Sequence, residues 1–205
     1  MDYNVSSKIE KRGILCGMLL GDGGKCNNNF AILHSTKQKE YALFKKELLE
    51  VITGKTVNTR QWKTKQGYEL FRIEPKLIPL TRVMVKKCYK NGVKTFSRNF
   101  LDYLTLQGIA IWFMDDGSKS FKKIENKVHA VEVTLNTYLS KEENTIIIDF
   151  FRERWKINWG LNKSKDSYRL RMGTREARKF FALIEPFIID SMKYKISLQF
   201  NTAPA

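Results

Sequence analysis

The sequence is poor in the residues that cross-link or metal-clamp a small fold. Its three cysteines, Cys16, Cys26 and Cys88, are odd in number and show no CxxC spacing. Cys16 sits inside an apolar run, where a free thiol behaves as a small core residue. No disulfide framework is expected, which fits a reducing compartment. The two histidines, His34 and His129, are isolated, so no zinc site is expected. Proline numbers four, and no Pro/Gly/Ser-rich linker breaks the chain. No apolar stretch approaches the roughly 20 residues that cross a bilayer. The opening MDYNVSSKIEKR lacks the apolar core of a signal peptide. These absences lead to the expectation of a soluble, intracellular protein, in a bacterial or phage cytoplasm or in an organelle. Acidic residues are the last scarcity: 21 Asp+Glu face 37 Lys+Arg, for a net charge of +16. Such an excess favours a polyanionic partner. With no basic amphipathic anchor in view, nucleic acid is preferred to a membrane.

What is present is a composition that folds and a pattern that repeats. A hydrophobic fraction of 42% excludes wholesale disorder, and 205 residues suffice for one sizeable core or two small halves sharing one. Two segments have one shape, ILCGMLLGDGG at 14–24 and GIAIWFMDDGS at 108–118. Each is an apolar helix pattern stopped by an acidic residue and glycine, which puts Asp22 and Asp116 at matching points. After each comes a candidate strand, FAILHST at 30–36 and VHAVEVTLNT at 128–137, the second with period-two alternation. An amphipathic helix pattern follows, through Tyr41, Leu43, Phe44, Leu48, Leu49 and Val51, and again through Ile146, Ile147, Phe150, Phe151 and Trp155. Ser140 and Glu143 form a capping box for the second. Basic hairpins are expected at 56–74 and 157–174, with Lys65 and Lys165 at their turns. Alternation is expected to put many of their basic residues (Arg60, Lys63, Lys65 and Arg72; Lys163, Lys165, Arg169 and Arg171) on one face, with aromatic and aliphatic residues on the other. Helices are expected at 77–90 and 174–188. Each unit then closes on a lysine, Lys94 in GVKTF and Lys195 in KYKIS. The repeat predicts two halves, 1–100 and 101–205.

The spacing of small residues suggests how the halves meet. Gly13, Gly17 and Gly21 share one helix face. Glycine costs about 1 kcal/mol in a helix interior, so three in register call for a close helix crossing. Gly108 and Ala110 offer small surface on the second helix. Crossing there would set Asp22 and Asp116 side by side. Two carboxylates at negative helix ends repel, so a hard cation such as Mg²⁺ is expected between them. Carboxylate-held metal beside a phosphate suits hydrolysis of a phosphodiester, and Lys94 and Lys195 are candidates to stabilise the developing charge. Asp116 rather than Asp115 is taken as the ligand because it precedes Gly117 as Asp22 precedes Gly23. Asp115 and Gly21 are expected to offer only backbone carbonyls.

At these positions the chain resembles the LAGLIDADG homing endonucleases of the monomeric, double-motif, intron-encoded type. LCGMLLGDG at 15–23 and IAIWFMDDG at 109–117 fill the nine-residue motif. WFMDDGS followed by VTLNT, and PFI…MKYKI near the end, extend the likeness over nearly the whole chain. The resemblance implies an α+β fold of two αββαββα halves, with antiparallel saddle-shaped sheets over the DNA major groove and the motif helices packed at the centre. It implies that Asp22 and Asp116 bind catalytic metal, Mg²⁺ or Mn²⁺, with Ca²⁺ supporting binding without cleavage. Lys94 and Lys195 would be active-site lysines, and Ser35 and Asn136 would reach the active-site water. Arg60, Gln61, Lys63, Lys65, Arg72, Lys163, Lys165, Arg169 and Arg171 would contact bases or phosphates. Gly17 has Ile111 as its motif counterpart and Trp112 is bulky, so the halves are expected to be unequal. A monomer acting on a long, asymmetric or pseudo-palindromic duplex is implied.

Three readings follow: a site-specific DNA endonuclease, an RNA-splicing maturase on the same fold, and a DNA-binding protein without catalysis. Retention of both acids and both lysines favours the first. For any duplex-binding reading, affinity is expected to fall steeply with salt as counterions are released. A flat response from low to moderate salt, measured by fluorescence anisotropy on a labelled duplex, would contradict phosphate-dominated binding.

Overall fold

The computed structural model describes residues 3–125, 127–164 and 166–198. Its centre is a pair of helices, α1 (Lys8–Leu20) and α5 (Leu106–Asp116). All of residues 13–20 and 107–114 are buried, as expected of helices that are apolar all round. Ser7 caps the first, accepting the Glu10 amide at 3.1 Å, and Thr105 is the N-cap of the second.

The helices touch through backbone. A Cβ on Gly17 would lie 2.0 Å from the Gly108 carbonyl oxygen, and one on Gly108 would lie 2.1 Å from that of Gly13. A Cβ on Gly13 itself would strike the Thr105 side chain at 2.3 Å. Only glycine admits this crossing.

Each central helix feeds a four-stranded antiparallel sheet. The first contains β1 (Gly23–Cys26), β2 (Asn29–Ser35), β3 (Asn58–Lys63) and β4 (Glu69–Glu74), in the order β1-β2-β4-β3. The second contains β7 (Gly117–Ile124), β8 (Lys127–Leu139), β9 (Gly160–Ser164) and β10 (Ser167–Gly173), in the order β7-β8-β10-β9. Helix α2 (Lys39–Thr53) packs on the first sheet and α6 (Lys141–Trp155) on the second. The capping box at Ser140 is present, with Glu143 N donating to Ser140 Oγ at 3.1 Å. In α2 the buried face runs through Tyr41, Ala42, Lys45, Leu48, Leu49 and Ile52. Leu43 and Val51, expected on that face, are exposed.

Helix α3 (Pro79–Cys88) is shorter than the expected 77–90. It stops where the chain turns into a small hairpin, β5 (Tyr89–Lys90) and β6 (Val93–Lys94). Asn91 and Gly92 take positive φ at the turn, and β6 brings Lys94 back toward α1. A short helix, α4 (Arg98–Leu101), joins the halves. Helix α7 (Thr174–Ile184) ends before Pro186, ahead of the expected 188, and a 3₁₀ stretch at Asp190–Lys195 delivers Lys195. One continuous apolar core unites the halves. No helix among the described residues is long and apolar enough to cross a membrane.

The two sheets are not superimposable by residue count. Gly23 pairs with Ile32, and its counterpart Gly117 pairs with Leu135. Leu33, not Ser35, therefore holds the ladder place of Asn136. Beyond it β8 carries an irregularity opposite β10, with Tyr138 at φ 54°.

Gly17→Ala should cost on the order of 3 kcal/mol, because neither backbone can yield without separating the helices. Gly24→Ala, where the nearest atom to the new Cβ is 3.8 Å away, should stay within about 0.5 kcal/mol of wild type. Urea unfolding midpoints decide; equal losses would show that the crossing tolerates a methyl group.

Candidate active site and nucleic-acid face

Each acid stands at a helix-to-strand junction. The amide of Gly21 closes α1 on the Gly17 carbonyl at 3.0 Å, Asp22 follows, and Gly23 is buried at the start of β1. Asp116 ends α5, and the buried Gly117 starts β7. The closing lysines reach these same ends. Lys94 Nζ donates to the Gly21 carbonyl at 2.8 Å and the Leu20 carbonyl at 3.4 Å. Lys195 Nζ donates to the Met114 carbonyl at 2.5 Å and the Asp115 carbonyl at 3.2 Å. The arrangement is pseudo-symmetric, and an ammonium at a helix C-terminus is favourable. The carbonyls of Gly21 and Asp115, expected to face a metal, face lysines here.

Burial dominates the electrostatics. It pushes the Asp22 carboxyl up to about 6, with the Asp115 charge adding to the rise. It pushes Asp116 up to about 7, helped by Asp115 and then by Asp22. Burial also draws Lys94 and Lys195 below the usual lysine range, against the upward pull of the nearby acids. Asp116 accepts a hydrogen bond from Trp112 Nε1 at 3.2 Å, and Asn136 Nδ2 donates to the Asp116 carbonyl at 3.0 Å. The Ser35 hydroxyl instead accepts the Lys37 amide at 3.3 Å and has no contact with either acid among the described interactions.

A second group lies beside Asp22 that the sequence reading missed. The Asp115 side chain is fully buried and ion-paired with the equally buried Lys45 at 2.5 Å. It also accepts the Tyr41 hydroxyl at 2.7 Å and the Asp22 amide at 3.0 Å. Lys45 Nζ lies 3.1 Å from His34 Nε2, and His34 Nδ1 lies 3.5 Å from Asp22 Oδ2. Burial first, then Lys45, lowers the imidazole to about 4, so the ring is neutral near pH 7. Space for the Asp115 carboxylate exists because position 21 is glycine: a Cβ there would sit 2.2 Å from Asp115 Oδ2. The readable signal was a lysine in the apolar stripe of α2.

Ladder register sorts the hairpin residues. Leu33, Arg72 and Arg60 lie side by side across β2, β4 and β3, on the sheet face away from the helices. With Asn58, Trp62 and Glu74 the two arginines line a hollow of about 550 Å³. Arg72 is held by Glu74 at 2.8 Å and reaches Cys26 Sγ at 3.2 Å. Gln61 and Lys63 pair with Phe71 and Glu69, so strand alternation turns them to the opposite face. The expectation that many of Arg60, Lys63, Lys65 and Arg72 share one face, with the aromatic residues on the other, is corrected on this point: Lys63 turns away and Trp62 accompanies Arg60. In the second sheet Arg169 and Arg171 alternate with the buried Leu170 and Met172 and lie on the open face. Lys163 pairs with Tyr168, one residue from the Leu161–Asn162 step, and falls with Leu161 on the helix side. Lys65 is at the exposed tip of the first hairpin, and Lys165 lies outside the described residues. Strand β7 adds Ser118, Ser120 and Lys122 to the open face, opposite Thr134, Glu132 and Ala130. Its Ser/Lys-rich sequence hid it from pattern reading.

The model of the LAGLIDADG DNA endonuclease family matches residues 12–180, from the first motif helix through both sheets into α7. The chain belongs to this family. A probable intron-encoded endonuclease of Wickerhamomyces canadensis is 33% identical over 99 residues, 47% of this chain and 41% of that protein. The cytochrome b mRNA maturase bI2 of Debaryomyces hansenii is 24% identical over 210 residues, 96% of this chain and 77% of that protein. Among solved structures, the homing endonuclease I-WcaI bound to its DNA recognition sequence superposes with a TM-score of 0.77 at 24% identity, covering 96% of this chain and 89% of that one. The chain spans less than half the length of the Wickerhamomyces relative.

For a LAGLIDADG protein the donor set at the helix ends fits a hard divalent cation. The two carboxylates are near enough for the Asp22 charge to raise Asp116, and among the described residues no lysine or arginine is ion-paired to either. Oxygen donors of this kind suit Mg²⁺-like ions. Asp22, His34 and Asp115 also place ligand atoms within 4.8 Å of one another, but there the Lys45 ammonium already balances Asp115 and engages His34.

Because folding raises both carboxyls above their ordinary value, the folded state holds those protons more tightly. That contribution is full below about pH 4 and is lost as pH rises through about 6 and 7. Metal-free wild type should thus lose thermal stability between about pH 5 and pH 8 relative to Asp22→Asn/Asp116→Asn, and Mg²⁺ or Ca²⁺ should restore more at the higher pH. Parallel pH curves for the two proteins would refute the charge assignment.

Proposed function

We propose that the chain is a site-specific endonuclease for double-stranded DNA that works with a divalent metal. One observation carries this reading: an acid at a helix end with a lysine on the adjoining carbonyls occurs twice, across the crossing of α1 and α5. A duplex has two scissile phosphates, and the site has two such sets. Asp22 and Asp116 would hold Mg²⁺ or Mn²⁺, and the ion would supply charge neutralisation at the phosphate and a more acidic water. Ca²⁺ would support binding without cutting.

The chain's own residues do the rest. Lys94 and Lys195 keep positive charge beside each helix end, placed to stabilise the oxyanion charge that builds on the phosphate. Asn136 fixes the carbonyl of Asp116, and with it the end of α5 against β8. The open faces, with Arg60, Arg72, Arg169 and Arg171, dock the duplex through phosphates and base edges. Since the faces carry different residues, the target is asymmetric and bound by a single chain with its halves at 1–100 and 101–205. Intron RNA is the second reading, motivated by the maturase relative.

The test is a duplex made by joining the sequences that flank the intron carrying this frame. Wild type with Mg²⁺ should cut both strands, and Asp22→Asn and Asp116→Asn should bind with similar affinity while cutting at least about 10³-fold more slowly. Lys94→Met and Lys195→Met should each lower the rate by about 10²-fold. Binding without cutting by wild type, or preference for the intron RNA over this duplex, would overturn the nuclease reading.

A further inference from the structure

The two acids are held in place by different means. Asp116 is held from its own half, by Trp112 one turn back on α5 and by Asn136 on β8. The residue one turn before Asp22 is Met18, whose side chain offers no N–H. Asp22 is held from both halves. Asp115 of the second motif accepts its amide, and His34 of β2 faces its carboxylate. Both of those residues meet at Lys45.

The direction of the hydrogen bonds follows from the lysine. An ammonium only donates, so His34 Nε2 must accept from Lys45. The ring proton then sits on Nδ1, which lies 3.2 Å from Gln38 Oε1 and 3.5 Å from Asp22 Oδ2. The Lys45–Asp115 pair thus selects the tautomer whose N–H is bonded to Gln38 Oε1 and lies beside the Asp22 carboxylate. Among the described residues nothing equivalent serves Asp116. Counting from the first residue of each helix, Lys39 of α2 and Lys141 of α6, the place of Lys45 is taken by the buried Ile147. The sheet–helix layer there is filled by Thr137 and Asn144, bonded to each other at 2.6 Å and to the Tyr168 carbonyl, away from both acids. The counterpart of Asp115 is Gly21, which has no side chain to return the contact.

We propose that His34 is a positioning residue for Asp22, oriented by the Lys45–Asp115 pair that crosses between the halves, so that cutting this network disables one half of the site selectively. The inference rests on the nuclease reading above for its kinetic consequence, but its structural part stands in the free protein.

Two measurements test it. On supercoiled plasmid carrying the flank-joined target, His34→Leu should slow one strand by about 10- to 100-fold and leave the other within about threefold, so that nicked circles accumulate. The spared strand should be the one still cut faster by Asp22→Asn. His34→Asn, whose amide nitrogen lies where Nδ1 does, should recover part of the loss, and Lys45→Met should reproduce the strand bias. In the free protein, ¹⁵N spectra of the two histidines should show His34 as the Nδ1–H form in wild type and not in Lys45→Met. Equal slowing of both strands by His34→Leu, or an Nε2–H His34 in wild type, would overturn the proposal. Failure of wild type to cut would fall on the nuclease reading alone, since the tautomer is read without DNA.

Discussion

The contact on which the rest depends is the backbone crossing of α1 and α5 at Gly17 and Gly108. With no Cβ on either side, the carbonyl of one helix rests against the Cα of the other. The crossing converts two separate helix ends into neighbours, which is why the Asp22 charge is felt at Asp116. Glycine in a helix interior costs about 1 kcal/mol per residue. The burial of every side chain along residues 13–20 and 107–114 offsets that cost many times over. Both sheets hang from these helices through Gly23 and Gly117, so the open faces inherit their placement from the same contact.

Neighbouring carboxylates at two negative helix ends make an unfavourable arrangement that the protein tolerates rather than cancels. The lysines that close each unit spend their ammonium groups on main-chain carbonyls, at 2.8 Å for Lys94 and 2.5 Å for Lys195. Their charge lowers the acids' pKa only as a secondary cause, behind burial. A site left in this state favours protonation or a bound cation. Asp115, by contrast, is ion-paired with the buried Lys45 and does structural service, though its charge still raises both Asp22 and Asp116. Two adjacent aspartates in one motif therefore have opposite electrostatic fates, decided by which one meets the lysine of α2.

Local pattern explains what was legible in the sequence. The motif helices, their acids and the lysines that close each unit are marked by short-range signals: an apolar run, an Asp-Gly stop, a repeated basic–aromatic context. The capping box of α6 is equally local. The missed features are all tertiary. Lys45 is one lysine among many until α2 is laid on β2 and its stripe is seen to include it. His34 looks isolated in sequence and is bonded in space. The faces of β3 were misjudged because charge alone does not set alternation; the register against β4 does, and it places Trp62 with Arg60. Strand β7 has too few apolar residues to announce itself and is made a strand by pairing with β8.

Asymmetry between the halves follows from packing. The Asp115 carboxylate occupies the space that a side chain on residue 21 would need, 2.2 Å from where its Cβ would stand. An aspartate at both positions would force two buried carboxylates into one gap, with a single buried lysine to balance them. A strictly two-fold assembly of identical motifs has no way to keep the bulk on one side only. A single chain with two diverged motifs does: glycine in the first makes the room, aspartate in the second fills it, and Lys45 is needed on only one side. The inequality of the two halves is therefore present at the centre of the fold, in the packing that holds the first acid, as well as in the differing residues of its open faces.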